Sequence, residues 1–213
     1  VFLHSGTGTG YAIAIQSHAD GSASYYEVTE DTIHNYSSGI RLLDYEDTTS
    51  VGTDHIILTG NVVTACLFGI GIDGLDEAGP GVSEIQFSGN SIHNNTVGIR
   101  LKSARNLDIG SFAIHENALS GNTVAVQNLN PVAVDAAYNW WGHASGPQHT
   151  ANPGGQGDTV SDHVDYVPWF GDTLGTAPEI LVEVTEIDFG YVHVGSPVDT
   201  TFHIYNSGGD SLI

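Results

Sequence analysis

The sequence predicts an all-β chain that winds as a parallel β-helix, a solenoid with one coil per repeat. A short phrase recurs every 27 to 30 residues, clearest as Gly89–Asn94 followed by Gly98–Leu101 and, earlier, as Asp31–Asn35 followed by Gly39–Leu42. Apolar residues recur two places apart, and no window keeps a helical period of 3.6 residues. A repeat this short cannot bury a core by itself, so its copies must stack on one another.

Each repeat is anchored on an Asn or Asp residue. The anchors are Asp31, Asn61, Asn90 and Asn117, separated by 30, 29 and 27 residues. Apolar residues lie five and three places before each anchor and two places after it; the residues five places before are Tyr26, Ile56, Ile85 and Phe112. A small residue lies eight places after, and mostly apolar residues lie nine and eleven places after. Each repeat is therefore expected to hold about three short strands with one buried face.

The four anchors are also candidates for a structural ladder. At a bend in a stacked solenoid, an Asn side chain can bond the equivalent group one turn above and one turn below. Such a ladder pairs polar groups that the bend would otherwise leave unpaired. Asp31 breaks the Asn pattern, which fits a position near a solvated end of the coil.

On these repeats, which cover residues 11 to about 130, the chain resembles the right-handed parallel β-helix repeat family. That family includes pectate lyases, polygalacturonases, epimerases and many non-catalytic bacterial surface proteins. The resemblance implies a right-handed parallel β-helix over residues 1–133. It carries little information about activity, because one fold hosts many functions.

The segment 134–170 predicts a C-terminal cap. It contains Asn139-Trp140-Trp141-Gly142 and ends in Pro168-Trp169-Phe170, and it holds all three Trp residues of the chain. It resembles the closing segment of bacterial surface β-helices, and a solenoid end needs such a cover. An alternative is that Trp140 and Trp141 form a platform on which a sugar ring stacks.

Residues 171–178 predict a linker, and residues 179–213 a different fold. Alternating Ile180, Val182 and Val184 precede Ile187-Asp188-Phe189-Gly190. This stretch resembles the first strands of immunoglobulin-like domains of the abnormal-spindle and hydin type. Such a sandwich needs about 100 residues. We therefore expect part of an immunoglobulin-like β-sandwich, in a fragment truncated at both ends with further domains in the same chain.

Charge restricts the range of partners. The chain has 25 acidic and 4 basic residues and a formal charge of −21. Nucleic-acid binding is disfavoured because phosphate contacts need a basic surface. No apolar run approaches the roughly 20 residues of a membrane-spanning helix. A lone cysteine, Cys66, excludes an internal disulfide.

Acidic loops suggest a possible Ca²⁺ site. The two longest insertions, Asp44 to His55 and Asp73 to Glu84, occupy the same position in the repeat and should emerge on the same side of the coil. Ca²⁺ prefers several oxygen ligands, so the candidates are Asp44, Asp47, Asp73 and Asp76. The alternative is a pair of solvated acidic loops.

Arg41 and Arg100 are candidate ligand-binding residues. They occupy the same repeat position two turns apart and are expected to face outward, where they could pair with an acidic sugar. A solvated salt bridge to a nearby carboxylate is the alternative. Hydrolases of the resembled family carry a series of motifs of which only Arg100-Leu101-Lys102 is mimicked here, so the acid and base of glycoside hydrolysis are missing.

The sequence therefore predicts a non-catalytic module of a large bacterial protein, either extracellular or at the cell surface. It would act as a rigid acidic stalk or as an adhesion surface for a polysaccharide or cell-surface glycan. The alternative is a polysaccharide lyase, or a related uronate-active enzyme, whose active turns are partly missing. A third possibility is a pure spacer. The sequence requires no cofactor, and Ca²⁺ is the one that it favours.

Overall fold

The computed structural model describes residues 2–3, 8–16, 23–43, 53–73, 81–102, 107–171, 180–182 and 204–206. Within these ranges the chain consists of β-strands, turns and one short 3₁₀ turn at Ile109–Ser111. The chain divides into two compact units, Val1–Asp172 and Thr173–Ile213.

The first unit is built from short strands that repeat in sets of three. The chain enters through β1 (Phe2–Leu3) and β2 (Gly8–Gln16). Four turns follow: β3 (Ala23–Thr29), β4 (Thr32–His34) and β5 (Tyr36–Leu43); β6 (Thr53–Thr59), β7 (Val62–Thr64) and β8 (Phe68–Asp73); β9 (Ile85–Ser88), β10 (Ser91–His93) and β11 (Val97–Leu101); β12 (Ala113–His115), β13 (Ala118–Ser120) and β14 (Val124–Asn128). The last strands of the unit are β15 (Val134–Asp135), β16 (Pro147–Gln148), β17 (Gly157–Val160) and β18 (Val164–Asp165).

Equivalent strands of successive turns pair side by side to form three sheets. The eight-stranded sheet has the order β1-β2-β5-β8-β11-β14-β17-β16, the four-stranded sheet β13-β10-β7-β4, and the six-stranded sheet β18-β15-β12-β9-β6-β3. All pairs are parallel except β1 with β2. The predicted parallel β-helix is confirmed, with about four complete turns.

The core consists of side chains stacked in columns inside the coil. The register of the eight-stranded sheet places Ile13, Ile40, Ile70, Ile99 and Val126 above one another. The last four of these are 0% exposed. Because each turn covers only its neighbours, this apolar interior closes only through stacking.

A column of small residues lets the turns approach closely at one corner. A Cβ atom added to Gly69 would lie 2.6 Å from the carbonyl oxygen of Gly98 and 3.1 Å from the side chain of Ile92. The equivalent positions hold Gly39, Gly98 and Ala125. The small residue eight places after each anchor is therefore a packing requirement.

Tyr26 differs from the predicted core pattern. It occupies the position of Ile56 and Ile85, which are fully buried, yet it is 37% exposed. It lies on β3, which is the edge strand of the six-stranded sheet, so no strand of the described ranges pairs with its other side.

The four predicted anchors lie in one column at the corner between the six-stranded and four-stranded sheets. The backbone and side-chain N–H groups of Asn61 both donate to Oδ1 of Asn90, at 3.0 and 2.9 Å. Asn90 donates in the same way to Asn117, and Asn117 to Asn139. Asp31 joins through its backbone N–H, which donates to Oδ1 of Asn61 at 3.0 Å. The column thus runs one turn further than the repeat suggested.

A second ladder, which the sequence analysis missed, lies at the next corner. Cys66 N donates to Oδ1 of Asn95, and both N–H groups of Asn95 donate to Oδ1 of Asn122 at 3.0 Å. Asp158 ends the column by accepting three bonds, two from Asn122 and one from Gly121 N. Burial raises the pKa of Asp158, although these hydrogen bonds oppose the rise.

The segment after the fourth turn continues the sheets and the core. β15 and β18 extend the six-stranded sheet, and β17 and β16 extend the eight-stranded sheet. Its buried side chains pack in the same apolar cluster as the turns; they are Val134, Ala136, Trp141, Val160, Val164 and Tyr166.

The second unit is described only at one strand pair. β19 (Ile180–Val182) pairs antiparallel with β20 (Ile204–Asn206), with Leu181 opposite Tyr205. The rest of the predicted immunoglobulin-like stretch lies outside the described residues.

Candidate functional site: an arginine groove on the eight-stranded sheet

Arg41 and Arg100 lie in one column on the outer face of the eight-stranded sheet. Arg41 is in register with Gly71, and Gly71 with Arg100. Two strand spacings separate the two arginines, or about 9.6 Å. Because Gly71 has no side chain, a notch opens between them.

Each guanidinium lies over an aromatic ring. The Arg41 guanidinium carbon is 5.4 Å from the centre of the Tyr11 ring, and that of Arg100 is 4.5 Å from the centre of the Phe68 ring. Tyr11 and Phe68 themselves belong to one register column, through Ser38. Such contacts hold a cation in place while leaving its outer N–H donors free.

The two arginines differ in their charge partners. Arg41 Nε donates to Oδ2 of Asp73 at 2.8 Å, and the Asp73 side chain is only 12% exposed. Arg100 forms no salt bridge with any residue that the structure describes. Arg100 is therefore the cation with charge to offer a ligand, whereas Arg41 is largely neutralised.

The walls enclose a groove of about 190 Å³. It is lined by Gly10, Tyr11, Ser37, Ser38, Arg41, Phe68, Gly71, Asp73 and Arg100. Its chemistry combines guanidinium donors, hydroxyl groups and aromatic rings, which together suit a hydroxylated anion of modest size.

The groove lies where the chain concentrates its few positive charges. Of the four basic residues, Arg41 and Arg100 line the groove and Lys102 follows β11 directly; the fourth, Arg105, lies outside the described residues. With Arg41 and Arg100 against Asp73, the groove lining carries one net positive charge in a chain with a formal charge of −21.

The candidate Ca²⁺ ligands are not brought together by the part of the chain that the structure describes. Asp73 is buried and paired with Arg41, so one of its oxygens is already engaged. Asp44, Asp47 and Asp76 lie outside the described residues. Among the residues that are described, no group of three or more His, Cys, Asp or Glu side chains is arranged to hold a metal.

The two adjacent tryptophans do not share one exposed surface. Trp141 is 0% exposed, and its indole N–H has no hydrogen-bond partner among the described residues. Trp140 is half-buried, and its backbone bonds Asn117 and Leu119. A buried ring offers no face to a sugar, so only Trp140 of the predicted pair remains available for stacking.

Sequence reasoning found the arginines but not the rest of the groove. Tyr11 and Phe68 stand three places before Ala14 and Gly71, which are the register equivalents of Arg41. That spacing is visible in the sequence once the register is known. Gly71 matters because it has no side chain between the two arginines. A glycine at this position in the sequence does not by itself indicate a groove.

A comparison with protein families gives one match. The model of a family described as "Protein of unknown function (DUF1565)" matches residues 5–145, which is more than half of the 213 residues. The chain belongs to this family. No curated protein and no solved structure matches the chain. None of the helices in the described ranges has the length and apolar character needed to cross a membrane.

Proposed function

We propose that this chain is a rigid, non-catalytic solenoid module that contacts an acidic carbohydrate through the arginine groove. The observation that carries the proposal is the notch at Gly71, with Arg100 lying over Phe68 on one side and Arg41 over Tyr11 on the other. A uronate carboxylate fits the N–H donors of Arg100, and the sugar ring has aromatic and hydroxyl neighbours in the groove.

Rigidity follows from the same architecture. The groove is built on strands whose neighbours above and below are tied by sheet hydrogen bonds and by the Asn ladders at the corners. Sites on strands hold their side chains more tightly than sites on loops. The module suits an extracellular or cell-surface bacterial protein, where it would act as a stalk and adhesion surface for polysaccharide.

We also infer the architecture around the module. Residues 134–170 act as the cap of a right-handed coil of the pectate-lyase type; the support is the burial of Trp141 and Tyr166 in the common core. Residues 179–213 begin an immunoglobulin-like domain. The antiparallel pairing of β19 with β20 supports that assignment.

The test is binding of short oligogalacturonates, measured by titration calorimetry at physiological salt, with the methyl-esterified oligomers as neutral controls. We expect the acidic oligomer to bind and the ester to bind at least tenfold more weakly. Arg100→Ala should weaken binding by roughly tenfold or more, because a charge-assisted hydrogen bond contributes about 1.5–3 kcal/mol. Gln127→Ala, in the same outward column but outside the groove, is the matched control.

Equal binding of the ester, or an unchanged affinity in Arg100→Ala, would rule out the groove as an acidic-sugar site. Absence of binding across a glycan array, with and without Ca²⁺, would favour the pure spacer.

The second candidate function is a polysaccharide lyase. The observation that favours it is again the Arg100 guanidinium, which could neutralise a uronate carboxylate and so acidify the adjacent C–H bond. Release of unsaturated uronate from pectate or alginate, followed by ultraviolet absorbance, tests it directly. If the wild-type chain forms this product and Arg100→Ala does not, the chain is a lyase and the proposal of a non-catalytic binding module is wrong.

A further inference from the structure

A second cavity lies on the outer face of a different sheet, the six-stranded one. Three successive turns each contribute two side chains to it. One register column holds Glu27, Ile57 and Gln86. The other three lining residues, Tyr25, His55 and Glu84, each lie two positions before a member of that column. The cavity has a volume of about 170 Å³.

The backbone at Tyr25, His55 and Glu84 is left-handed, with φ of 62°, 52° and 54°. Each residue immediately precedes the first core position of its strand, Tyr26, Ile56 or Ile85. Bulky side chains rarely adopt this conformation, because Cβ crowds the backbone. Ser111 of the next turn supports the last of the three, since its hydroxyl accepts the Glu84 N–H at 2.7 Å.

His55 is held on three sides. Its Nδ1 is 2.8 Å from Oδ1 of Asp54, its Nε2 is 2.5 Å from Oε2 of Glu84, and its ring stacks on Tyr25 with 4.5 Å between centres. The hydrogen bond with Asp54 raises the pKa of His55; partial burial opposes the rise, and the charges of Glu84 and Asp54 add to it. Both ring nitrogens therefore face carboxylates.

The charges around the cavity do not balance. Glu27, Asp54 and Glu84 bring three carboxylates, against one histidine, His55, and no Lys or Arg in the lining. Glu27 has no ion pair among the residues that the structure describes. Tyr25 is 78% exposed, so much of its ring remains available to a ligand although His55 stacks on it.

We propose that this cavity binds an amino sugar. Its ring would lie against Tyr25 and over Ile57, and its ammonium group would meet Glu27, because Glu84 lies two turns away and is already paired with His55. Carboxylates and an aromatic ring together favour an organic cation, and the Gln86 amide offers a partner for a sugar hydroxyl. The overall charge of −21 also attracts positively charged ligands. The site is independent of the arginine groove, which selects the opposite charge.

The test is titration of the full chain with glucosamine disaccharide at 150 mM NaCl, followed by calorimetry. The N,N′-diacetylated disaccharide serves as the neutral arm, and trilysine as a cation without a sugar ring. We expect the free amine to bind at least tenfold more tightly than either. Glu27→Gln should reduce that affinity by tenfold or more, and Tyr25→Ser should do the same provided that its melting temperature shows a folded protein.

Glu116→Gln is the matched control, because it removes an exposed carboxylate of the same coil outside the cavity. An equal loss of affinity in Glu27→Gln and Glu116→Gln would mean diffuse charge attraction and would overturn the site. Binding of trilysine or of the diacetylated sugar as tightly as the free amine would also overturn it. Arg100→Ala should leave the affinity unchanged, so failure here is separable from failure of the acidic-sugar proposal.

Discussion

At the scale of single residues, the outer face of each strand is formed by residues that alternate with the buried core residues. In β8, Ile70 and Ile72 are fully buried, while Gly71 between them opens the arginine groove. On β6, Ile56 and Leu58 are buried on either side of Ile57, which lies in the second cavity. Strand alternation therefore lets an outward residue change without disturbing the stack.

His55 gives a prediction at this scale, in the dependence of stability on pH. Because its pKa is raised in the folded state, its contribution to stability is complete below the unfolded value of 6.5 and is lost as pH rises through the folded value. Burial raises the pKa of Asp54, but hydrogen bonds from Ser24 and His55 and the charge of His55 together outweigh it and lower the pKa below 3.8. The contribution of Asp54 to stability is therefore lost only as pH falls below 3.8.

His55→Asn should therefore lower the melting temperature most between about pH 4 and 6.5, and the difference from wild type should shrink towards pH 9. Thermal denaturation followed by circular dichroism across this range measures it. His34→Asn is the matched control, since His34 is exposed and has no carboxylate partner among the described residues. A gap that stays constant with pH would show that His55 acts through packing alone.

At the scale of elements, the corners are as organised as the strands. The first Asn ladder was predictable because its members recur at nearly constant spacing, from Asp31 to Asn117. The sequence did not predict Asn139 as a ladder member because it lies 22 residues after Asn117, where the repeat has ended. The second ladder was not predicted because Cys66 and Asp158 break the Asn pattern at both ends. Sequence spacing finds a column only while turn length and residue type both hold.

The ladder predicts a large effect for one central substitution. The Asn90 side chain makes four bonds: it accepts twice from Asn61 and donates to Leu58 O at 2.7 Å and to Asn117 Oδ1 at 2.8 Å. Asn90→Ala removes all four bonds. Asn61 Nδ2 keeps its bond to Val28 O and Asn117 Oδ1 keeps the Asn90 backbone N–H, but the Asn61 backbone N–H loses its acceptor. A lost hydrogen bond costs about 0.5–1.5 kcal/mol, and a buried group left unpaired about 1–3 kcal/mol. We expect a loss of about 3 kcal/mol or more in the free energy of unfolding.

Urea denaturation measures this loss. Gln127→Ala, a polar truncation on the outer face of β14, should change the free energy of unfolding by less than about 0.5 kcal/mol. Asn90→Asp should cost at least as much as Asn90→Ala, because its second carboxylate oxygen would face the acceptors Leu58 O and Asn117 Oδ1 in a site that is 1% exposed. If Asn90→Ala matched Gln127→Ala, the ladder would be dispensable and sheet pairing alone would hold the corner.

At the scale of the whole molecule, the fold was more predictable than the sites. Periodic apolar residues such as Ile40, Ile70 and Ile99 specify the stacked core, since each must face the same column. The groove and the second cavity depend on which outward side chains meet across turns. Tyr11 and Phe68 are 57 positions apart in the sequence, and only the register brings them to one face. A repeat pattern therefore predicts the fold, whereas the residues of a binding surface can be identified only when the strand register is known.

Charge gives the last prediction, because the formal charge of −21 is a property of the entire chain. Like charges repel more in the compact state than in the extended one, so they reduce the stability of the fold. Salt screens this repulsion: the Debye length falls from about 30 Å at 0.01 M to about 10 Å at 0.1 M. The melting temperature should therefore rise as NaCl increases from 10 to about 300 mM.

CaCl₂ at equal ionic strength separates screening from specific binding. A further rise with CaCl₂ that saturates at low concentration would indicate a bound cation and support the acidic-loop hypothesis at Asp44, Asp47 and Asp76. A melting temperature that falls with NaCl would mean that attractive pairs such as Arg41–Asp73 outweigh the net repulsion.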